Sequence, residues 1–264
     1  MLDGSTEKLT DRYNREAHAY RELWAPVLRS AGLSLFPELA HTRVQRILDV
    51  GTGVGTLLPD LRGAFSDAFV LGVDRARGML ALAPEEFPRA VMDARQLAIP
   101  SGNVDLVLLI FMLFHLEKPL DGLREARRVL RPGGRIATLT WAGDLTSKAT
   151  QIWTDSLDAH GAAPVDPAVE TRHGAVDTPE KMETLLRVAG FTSPRSWADD
   201  LVSTIDLEHL LRLRTSMGCA KPRFDSLDSM TREACVATAR SRMQGLACED
   251  FVARGSIVYA VASA

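Results

Sequence analysis

The chain has 264 residues, of which 46% are hydrophobic, so it can bury a sizeable core and is not predicted to be disordered. The formal charge of −3 and the lack of a long Lys or Arg run argue against nucleic acid as the main partner. Three cysteines are too widely spaced for a zinc knuckle or redox pair, and we interpret Cys219, Cys235 and Cys248 as reduced, mostly buried thiols.

The amino-terminal residues are polar and lack the basic-then-apolar order of a secretory signal. The longest apolar run, Leu106 to Phe114, is far shorter than the roughly 20 residues that cross a bilayer. We therefore expect a cytoplasmic protein with no membrane partner, as a monomer or a homodimer. Residues 9–31 have apolar positions near the period of 3.6, which predicts one or two leading helices.

Apolar, β-branched segments then alternate with helical ones. The predicted strands are 46–50, 68–74, 90–92 and 105–110, followed by 135–141, and the predicted helices are 56–64, 78–86 and 120–130. Strands that are apolar on both faces, with helices between them, indicate a parallel sheet covered on two sides. Pro119 begins the last of these helices, and the residues RPGG, 131–134, are predicted to end it before the next strand.

The alternation is lost after Trp141. Residues 143–177 are predicted to be a long loop with helical pieces, because proline and glycine recur and few apolar positions are periodic. Thr178 and Pro179 then read as the cap and first position of a helix that Gly190 ends. A strand at 191–202, helices at 206–216 and 230–246, and a final strand at 255–262 complete the prediction.

The segment ILDVGTGVGT, residues 47–56, carries glycines at alternate positions, Gly51, Gly53 and Gly55, directly after a predicted strand. In the dinucleotide fingerprint G-x-G-x-x-G, Thr56 would stand where the last glycine is required. Asp49 precedes the loop, and its carboxylate would repel a pyrophosphate but suits a ligand with an ammonium and a sulfonium. Asp74 ends the next strand, near the spacing at which an acid accepts hydrogen bonds from ribose hydroxyls.

Four segments occur in the order typical of one enzyme family. ILDVGTGVGTLLPDL, VLGVDRARGML, AVMDARQLAIPSGNVDLVLLIFMLFHLEKP and REARRVLRPGGRIATLTW resemble the motifs of class I S-adenosylmethionine-dependent methyltransferases. The nearest branch comprises small-molecule enzymes of the ubiquinone/menaquinone and antibiotic-tailoring type. The resemblance covers about residues 40–142, with a weaker likeness in TPEKMETLLRVAGF.

The resemblance implies an α/β fold: a Rossmann-like, seven-stranded, mostly parallel sheet with helices on both faces and an antiparallel last strand. A helical cap would be inserted between the last two strands. The whole chain, 1–264, would be a single methyltransferase domain. Its parts would be a helical segment 1–40, a cofactor-binding core 41–142, and a second half 143–264 that contains a substrate lid at about 203–248 and the closing strand.

The resemblance also implies roles for single residues toward S-adenosyl-L-methionine, whose product is S-adenosyl-L-homocysteine. The expected cofactor-binding residues are Tyr13, Tyr20, Asp49, Gly51, Thr52, Gly53, Asp74, Arg75, Met79, Asp93, Ala94, Ile110 and Phe111. Simpler interpretations stay open for several of them. Met79 and Phe111, like Phe114, fit a packed core, Asp93 fits a solvated loop, and the two tyrosines fit an amphipathic helix that packs on the domain.

Methyl transfer from a sulfonium depends mainly on positioning, and a base is needed only when the acceptor must lose a proton early. His115 is the candidate base, with bracing of its loop as the alternative. Candidate acceptor-binding residues are Tyr20, His115, Trp141, Trp153 and His173, with His160 in the same irregular region. The histidines and acids lack the spacing of a metal site, so no metal is expected.

The leading hypothesis is a methyltransferase that acts on O, N or C of a small molecule in secondary metabolism. The segment LLIFMLF replaces the Asp-Pro-Pro-Tyr-like motif of amino-methyltransferases that act on nucleobases or glutamine, which favours a partly apolar acceptor. One alternative is an enzyme of this fold that binds the cofactor but catalyses cyclisation or decarboxylation. Less favoured alternatives are a macromolecular acceptor and a non-catalytic binding module.

Overall fold

The computed structural model describes residues 4–39, 44–218 and 220–264. Its strands form one seven-stranded sheet in the order β3-β2-β1-β4-β5-β7-β6. The strands are β1 (Arg46–Val50), β2 (Phe69–Asp74), β3 (Arg89–Val91), β4 (Val104–Ile110), β5 (Leu130–Trp141), β6 (Thr192–Thr204) and β7 (Val252–Ser263). Strand β7 runs antiparallel to both of its neighbours, whereas the pairs among β1 to β5 are parallel. The predicted fold class is therefore confirmed.

The centre of the sheet forms the main core because its strands are apolar on both faces. Leu48 of β1 and Leu106 and Leu108 of β4 are fully buried. Two-sided burial requires helices on both sides of a parallel sheet. The helices are α1 (Gly4–Ala19), α2 (Ala25–Leu33), α3 (Phe36–Leu39), α4 (Leu58–Ala64), α5 (Arg77–Leu80), α6 (Pro119–Val129), α7 (Lys148–Ala159), α8 (Pro167–Gly174), α9 (Pro179–Val188), α10 (Leu207–Ser216), α11 (Lys221–Asp225) and α12 (Ser229–Met243).

Three short helical segments of other types complete the description. A π-helical turn at Tyr20–Trp24 joins α1 to α2, so the leading residues form one nearly continuous helical arm. A 3₁₀ turn at Leu113–His115 follows β4, and another at Cys248–Phe251 precedes β7. The arm confirms the prediction of leading helices, but its π-helical turn has no counterpart in the prediction.

Two element boundaries differ from the prediction. The helix expected over 78–86 is only the four residues of α5, because Pro84 disfavours helical backbone at the residue before it. The residues RPGG do not separate α6 from a later strand. Instead, α6 ends at Val129 and β5 begins at Leu130, with Gly133 in the left-handed region at φ 76°.

The region after Trp141 is more regular than predicted. Residues 148–159 form a three-turn helix whose N-terminus is closed by reciprocal hydrogen bonds between Ser147 and Thr150. Its buried positions, which fall at helical spacing, are Ala149, Thr150, Ile152, Trp153, Ser156 and Leu157. Helices α7 and α8 are thus the helical pieces predicted within residues 143–177, and α7 is the longer of them. Thr178 caps α9 as expected, by accepting a hydrogen bond from the backbone N–H of Lys181.

Helices α10, α11 and α12 lie between β6 and β7 in the chain and form, with α7, a second hydrophobic cluster, which we call the cap. The helical arm packs against the cap through Leu23, which contacts Leu213 and Met217. His209 of the cap also lies with its Nε2 atom 3.1 Å from the Leu23 carbonyl oxygen. The arm therefore lies between the sheet and the cap.

The cysteine prediction holds in part. Cys235 is a buried free thiol of the cap, as expected, but Cys248 is exposed because it opens the 3₁₀ turn before β7. Cys219 lies outside the described residues. Among the described residues, no helix is both long and apolar enough to cross a membrane.

Candidate functional site

A cavity opens where the carboxyl ends of β1, β2 and β4 meet, which is where parallel α/β sheets bind ligands. The space within it, together with the open solvent at its mouth, is about 740 Å³. The lining residues come from the arm, the glycine loop and the ends of three strands: Leu9, Thr10, Tyr13, Tyr20, Val50, Gly51, Gly53, Asp74, Arg75, Ala76, Met79, Met92, Ala94, Ile110, Phe111, Met112, His115 and Leu116.

The glycine loop turns directly beneath this cavity. Gly51 has φ 77°, and a Cβ atom there would lie 2.8 Å from Cβ of Met112. Gly53 has φ 57°, and its Cβ would lie 3.2 Å from Cε of Met79 and 3.7 Å from Cε1 of Tyr20. Both positions need a residue without a side chain, which leaves backbone exposed to a ligand.

Gly55 serves a different purpose from the other two glycines. It has φ 70°, and an added Cβ would lie 2.9 Å from both Cβ of Ala83 and Cδ1 of Leu58. It does not line the cavity. Gly55 therefore lets the loop pack against α4 and the segment after α5, a role comparable to the third glycine of the dinucleotide fingerprint.

Asp74 ends β2 with its carboxylate fixed in the cavity wall. Its Oδ2 atom accepts a hydrogen bond from the Gly53 N–H at 2.9 Å, and its Oδ1 atom accepts one from the Ala76 N–H at 2.8 Å. Burial raises the pKa of Asp74, and these backbone hydrogen bonds oppose the rise. The carboxylate is thus preorganised, with further lone pairs free to accept hydrogen bonds from ligand hydroxyls.

Asp49 lies deeper, inside β1, and is 3% exposed. Burial raises its pKa to about 6, while a hydrogen bond from the Thr52 hydroxyl, at 2.7 Å, acts in the opposite direction. Nearby Asp74 raises the pKa further by repulsion. Asp49 and Thr52 line a second recess, which shares Tyr20, Gly51, Ile110 and Phe111 with the main cavity. A cationic group in this region would relieve the repulsion between the two carboxylates.

The arm contributes two tyrosines to the site. The Tyr13 hydroxyl lies 2.8 Å from Nε2 of His115, and the two rings meet edge to face. Burial, followed by the positive charge of Arg12, lowers the pKa of His115 well below its usual value, so the ring is neutral at pH 7. Burial raises the pKa of Tyr20, and the nearby Tyr13, Asp74 and Asp49 act in the same direction.

Asp93 was expected to bind the cofactor, but its side chain binds a neighbouring arginine of the same chain. Arg95 donates to it from its backbone N–H at 2.9 Å and from its guanidinium at 2.8 Å. Burial alone would raise the pKa of Asp93, but these bonds outweigh it and the pKa is lowered. Asp93 does not line the cavity, whereas the adjacent Ala94 does. Arg75 and Met79 also line the cavity.

Phe111 directly follows β4 with φ 52°, a left-handed conformation that is unusual for a bulky residue. Its ring packs 4.6 Å from Trp141, which stacks in turn on Trp24 of the arm at 5.9 Å. Non-glycine residues held in this conformation occur preferentially at functional sites. Sequence reasoning missed seven lining residues: Leu9, Thr10, Val50, Ala76, Met92, Met112 and Leu116. All except Thr10 are apolar, which indicated only a core.

The remaining candidate acceptor residues do not line the cavity. Trp141 lies behind Phe111, and His173 stacks on Phe114 with ring centroids 4.4 Å apart. Trp153 is 1% exposed and packs on Phe224 inside the cap. His160 lies with Nδ1 at 2.7 Å from the Ser156 carbonyl oxygen. Within the described ranges, no group of three or more His, Cys, Asp or Glu residues is arranged to hold a metal ion.

The sheet order, the glycine loop and the two carboxylates are those of the class I S-adenosylmethionine-dependent methyltransferase fold. Residues 48–138 match the family model described as a methyltransferase domain. A SAM-dependent methyltransferase from Archaeoglobus fulgidus has a TM-score of 0.53 at 14% identity, over 91% of this chain and 94% of that one. At this identity the likeness concerns the fold.

Two curated relatives are more similar in sequence. The chain is 31% identical to a malonyl-(acyl-carrier protein) O-methyltransferase from Methylococcus capsulatus over 65% of this chain and 61% of the relative. It is 32% identical to a demethylmenaquinone methyltransferase from Clavibacter sepedonicus over 56% of this chain and 66% of the relative. The chain therefore spans less than two thirds of the length of each of them.

Proposed function

We propose that this protein is an enzyme that transfers a methyl group from S-adenosyl-L-methionine to O, N or C of a small-molecule acceptor. The observation that carries the proposal is the convergence of Asp74, Asp49 and an open glycine loop on two adjoining recesses, which share Tyr20, Gly51, Ile110 and Phe111. A carboxylate at the edge suits a ribose diol, and a buried carboxylate beside the loop suits the cationic end of the cofactor. The match of residues 48–138 to the methyltransferase-domain model supports the same assignment.

Each part of the cofactor has matching residues. Asp74 would accept both ribose hydroxyls, because two backbone N–H groups already fix its orientation. Asp49, with Thr52 and the loop at Gly51 and Gly53, would hold the amino-acid end. Arg75, Met79 and Ala94 would lie around the adenosine. Asp93 stands beside Ala94, but Arg95 binds its side chain, so we assign it to the support of this wall.

The bound cofactor would supply an electrophilic methyl group, and the protein would supply position. The sulfonium loses its charge as the new bond forms, so an apolar wall around the methyl group favours the reaction. Ile110 and the constrained Phe111 provide such a wall where the chain leaves β4. Tyr20, which lines both recesses, would close the other side of the reacting centre.

The Tyr13–His115 pair is placed to take part in acceptor binding. His115 is neutral, so it can accept a proton or a hydrogen bond, but Tyr13 occupies its Nε2 atom. For an acceptor hydroxyl or amine to reach His115, Tyr13 would have to move or relay the proton. We therefore assign His115 as the candidate base and Tyr13 as its partner, the latter on an arm that covers the cofactor.

The acceptor itself is assigned only by class. The apolar lining contributed by Leu9, Met112 and Leu116 favours a small, partly apolar molecule, as in secondary metabolism. The cap and arm, including α10 to α12, would form the lid over this end of the cavity. Trp141 and His173 would shape it from behind Phe111 and Phe114 rather than by direct contact.

Isotope transfer tests the reaction. The purified protein would be incubated with methyl-labelled S-adenosyl-L-methionine and an acceptor panel, and both labelled product and S-adenosyl-L-homocysteine should appear. Product formation without label would instead favour a non-methylating reaction, such as cyclisation or decarboxylation. Calorimetry with S-adenosyl-L-homocysteine tests cofactor binding independently of any acceptor, and absence of binding would contradict the proposal.

A further inference from the structure

Two arginines from different elements lie near the Tyr13–His115 pair. Arg12 belongs to the arm and lies with its guanidinium carbon 5.2 Å from the centre of the Tyr13 ring. Arg172 belongs to α8, a separate element, and its neighbour His173 stacks on Phe114, whose ring lies 4.2 Å from that of His115. Helix α8 packs against the 3₁₀ turn that carries His115, and the charges of Arg12 and Arg172 both act on the His115 ring. Two guanidinium groups from different elements therefore lie near His115, outside the residues that line the cavity.

Neither guanidinium is fully used by the protein. The Nε atom of Arg12 is buried and has no hydrogen-bond partner, although Oε2 of Glu16 lies 3.9 Å away. That oxygen of Glu16 is likewise buried without a hydrogen bond, so the pair attracts but does not satisfy either group. In the part of the chain that the structure describes, the half-buried Arg172 side chain forms no hydrogen bond or ion pair.

The acids nearby do not cancel this charge. Glu16 is turned toward the cap, where Gly218, Lys221 and Asp225 are its neighbours, and burial raises its pKa. On the other side, Asp144 and Asp177 face His173, and Asp177 is bound by Lys181 at 2.6 Å. Like the two arginines, these acids lie outside the residues that line the cavity. An arginine that is partly desolvated and lacks hydrogen-bond partners is a strong site for a carboxylate or a phosphate.

We propose that the acceptor carries an anionic group, a carboxylate or a phosphate, which Arg12 and Arg172 hold beside the Tyr13–His115 pair. This inference rests on the proposed methyltransferase function and narrows its acceptor class. The anion would bind at the mouth, between the arm and α8, while the apolar part of the acceptor extends toward Phe111. Because the two arginines come from different elements, the anion would also draw the arm onto α8.

The test uses ligand-observed NMR on the complex of the full protein with S-adenosyl-L-homocysteine. The probes are matched pairs: benzoate and benzamide, phenyl phosphate and phenol, and acetate and acetamide. We expect the anionic member of at least one aromatic pair to bind, its neutral partner to bind more weakly, and added salt to reduce the difference. Comparison of the carboxylate probes with the phosphate probe shows which anion the site prefers.

Arg12→Gln and Arg172→Gln should each lower the affinity for the anionic probe by about tenfold, which is the scale of one charge-assisted hydrogen bond. Arg12→Lys should restore part of the loss, and Arg21→Gln, an exposed change in the same arm, should have no effect. Equal binding of paired probes, anion binding that survives both substitutions, or no anionic binding at all would overturn the inference. If the protein still binds S-adenosyl-L-homocysteine in those cases, the proposed methyltransferase function stands without the anion site. If the wild-type protein does not bind S-adenosyl-L-homocysteine, both proposals fail.

Discussion

At the scale of single residues, the two acids of the site differ in what their surroundings do to them. Asp74 is held by two backbone N–H groups and serves as a fixed acceptor. Asp49 has one hydroxyl donor, lies deeper, and has a pKa of about 6. Because folding raises the pKa of Asp49, the free energy of unfolding falls as the pH rises from the ordinary carboxyl range to about 6. A cationic ligand that binds beside the ionised carboxylate offsets this loss.

This difference predicts a pH dependence of cofactor affinity. Affinity for S-adenosyl-L-homocysteine, whose ammonium is cationic, should rise roughly tenfold between pH 5 and 7.5 as Asp49 ionises. Asp49→Asn should bind more weakly at pH 7.5 and lose most of this dependence. Calorimetry across the pH range measures both, with the exposed Asp200→Asn as the matched control. An unchanged slope in Asp49→Asn would show that another group titrates.

Asp74→Ala should abolish measurable cofactor binding, because it removes the ribose acceptor and leaves the N–H groups of Gly53 and Ala76 without their partner. Asp74→Asn keeps one carbonyl acceptor and should bind with an intermediate affinity. Calorimetry gives the affinities, and thermal unfolding checks that each variant folds. Near-normal affinity in Asp74→Ala would mean that the ribose contact is misassigned.

Tyr13→Phe removes the hydroxyl that meets His115 but keeps the ring contacts with Tyr20 and His115. We expect the cofactor to dissociate about fivefold to tenfold faster, since one hydrogen bond that holds the arm closed is lost. Stopped-flow displacement of bound S-adenosyl-L-homocysteine measures this rate. An identical dissociation rate in the variant would show that the Tyr13 hydroxyl does not hold the arm closed.

At the scale of elements, the π-helical turn at Tyr20–Trp24 sets the direction of the arm. A π turn holds one more residue than an α turn, so it changes which face of α1 points to the cavity relative to α2. Tyr20 stands at its first position and lines both recesses. The turn therefore lets Tyr13 and Tyr20 face the cavity while Leu23 packs on the cap.

Insertion of one alanine after Arg21, an exposed residue of the turn, should rotate α1 by about 100° relative to α2, because the π turn already accommodates one extra residue. Tyr13 would then leave His115, and cofactor affinity should fall while the sheet persists. Arg21→Ala is the matched control, because it retains the register. Calorimetry and circular dichroism compare the two, and equal affinity would exclude a role for the register of the arm.

Sequence patterns could predict the elements around the sheet because glycine, proline and buried strands act locally there. Thr178 capped its helix as expected, and Asp74 ended its strand as expected. The π-helical turn and the left-handed Phe111 could not be found this way, because tertiary contacts hold them. The pairing of Asp93 with Arg95 and the position of Trp153 inside the cap depend on packing in the same way. The helical stripe of α7 was present but obscured by the prolines and glycines after it.

At the scale of the whole molecule, the main core and the cap are separate hydrophobic clusters. Trp153→Ala should destabilise the protein by about 3–5 kcal/mol, because it empties a fully buried site in the cap. Hydrogen exchange should rise in α7 and α12 well before it rises in β1 and β4. Uniform loss of protection in both regions would show that the clusters unfold as one unit. Val188→Ala, at an exposed position of α9, is the control.

Strand β7 lies between β5 and β6 although it follows both in the chain. During synthesis, β6 and the three cap helices leave the ribosome with no sheet to join, since the strand that connects them is made later. The parallel half with its glycine loop has all its strands by then. Removal of residues 252–263 would thus detach β6 and its cap together, and leave the long edge of β5 open to pairing with other chains.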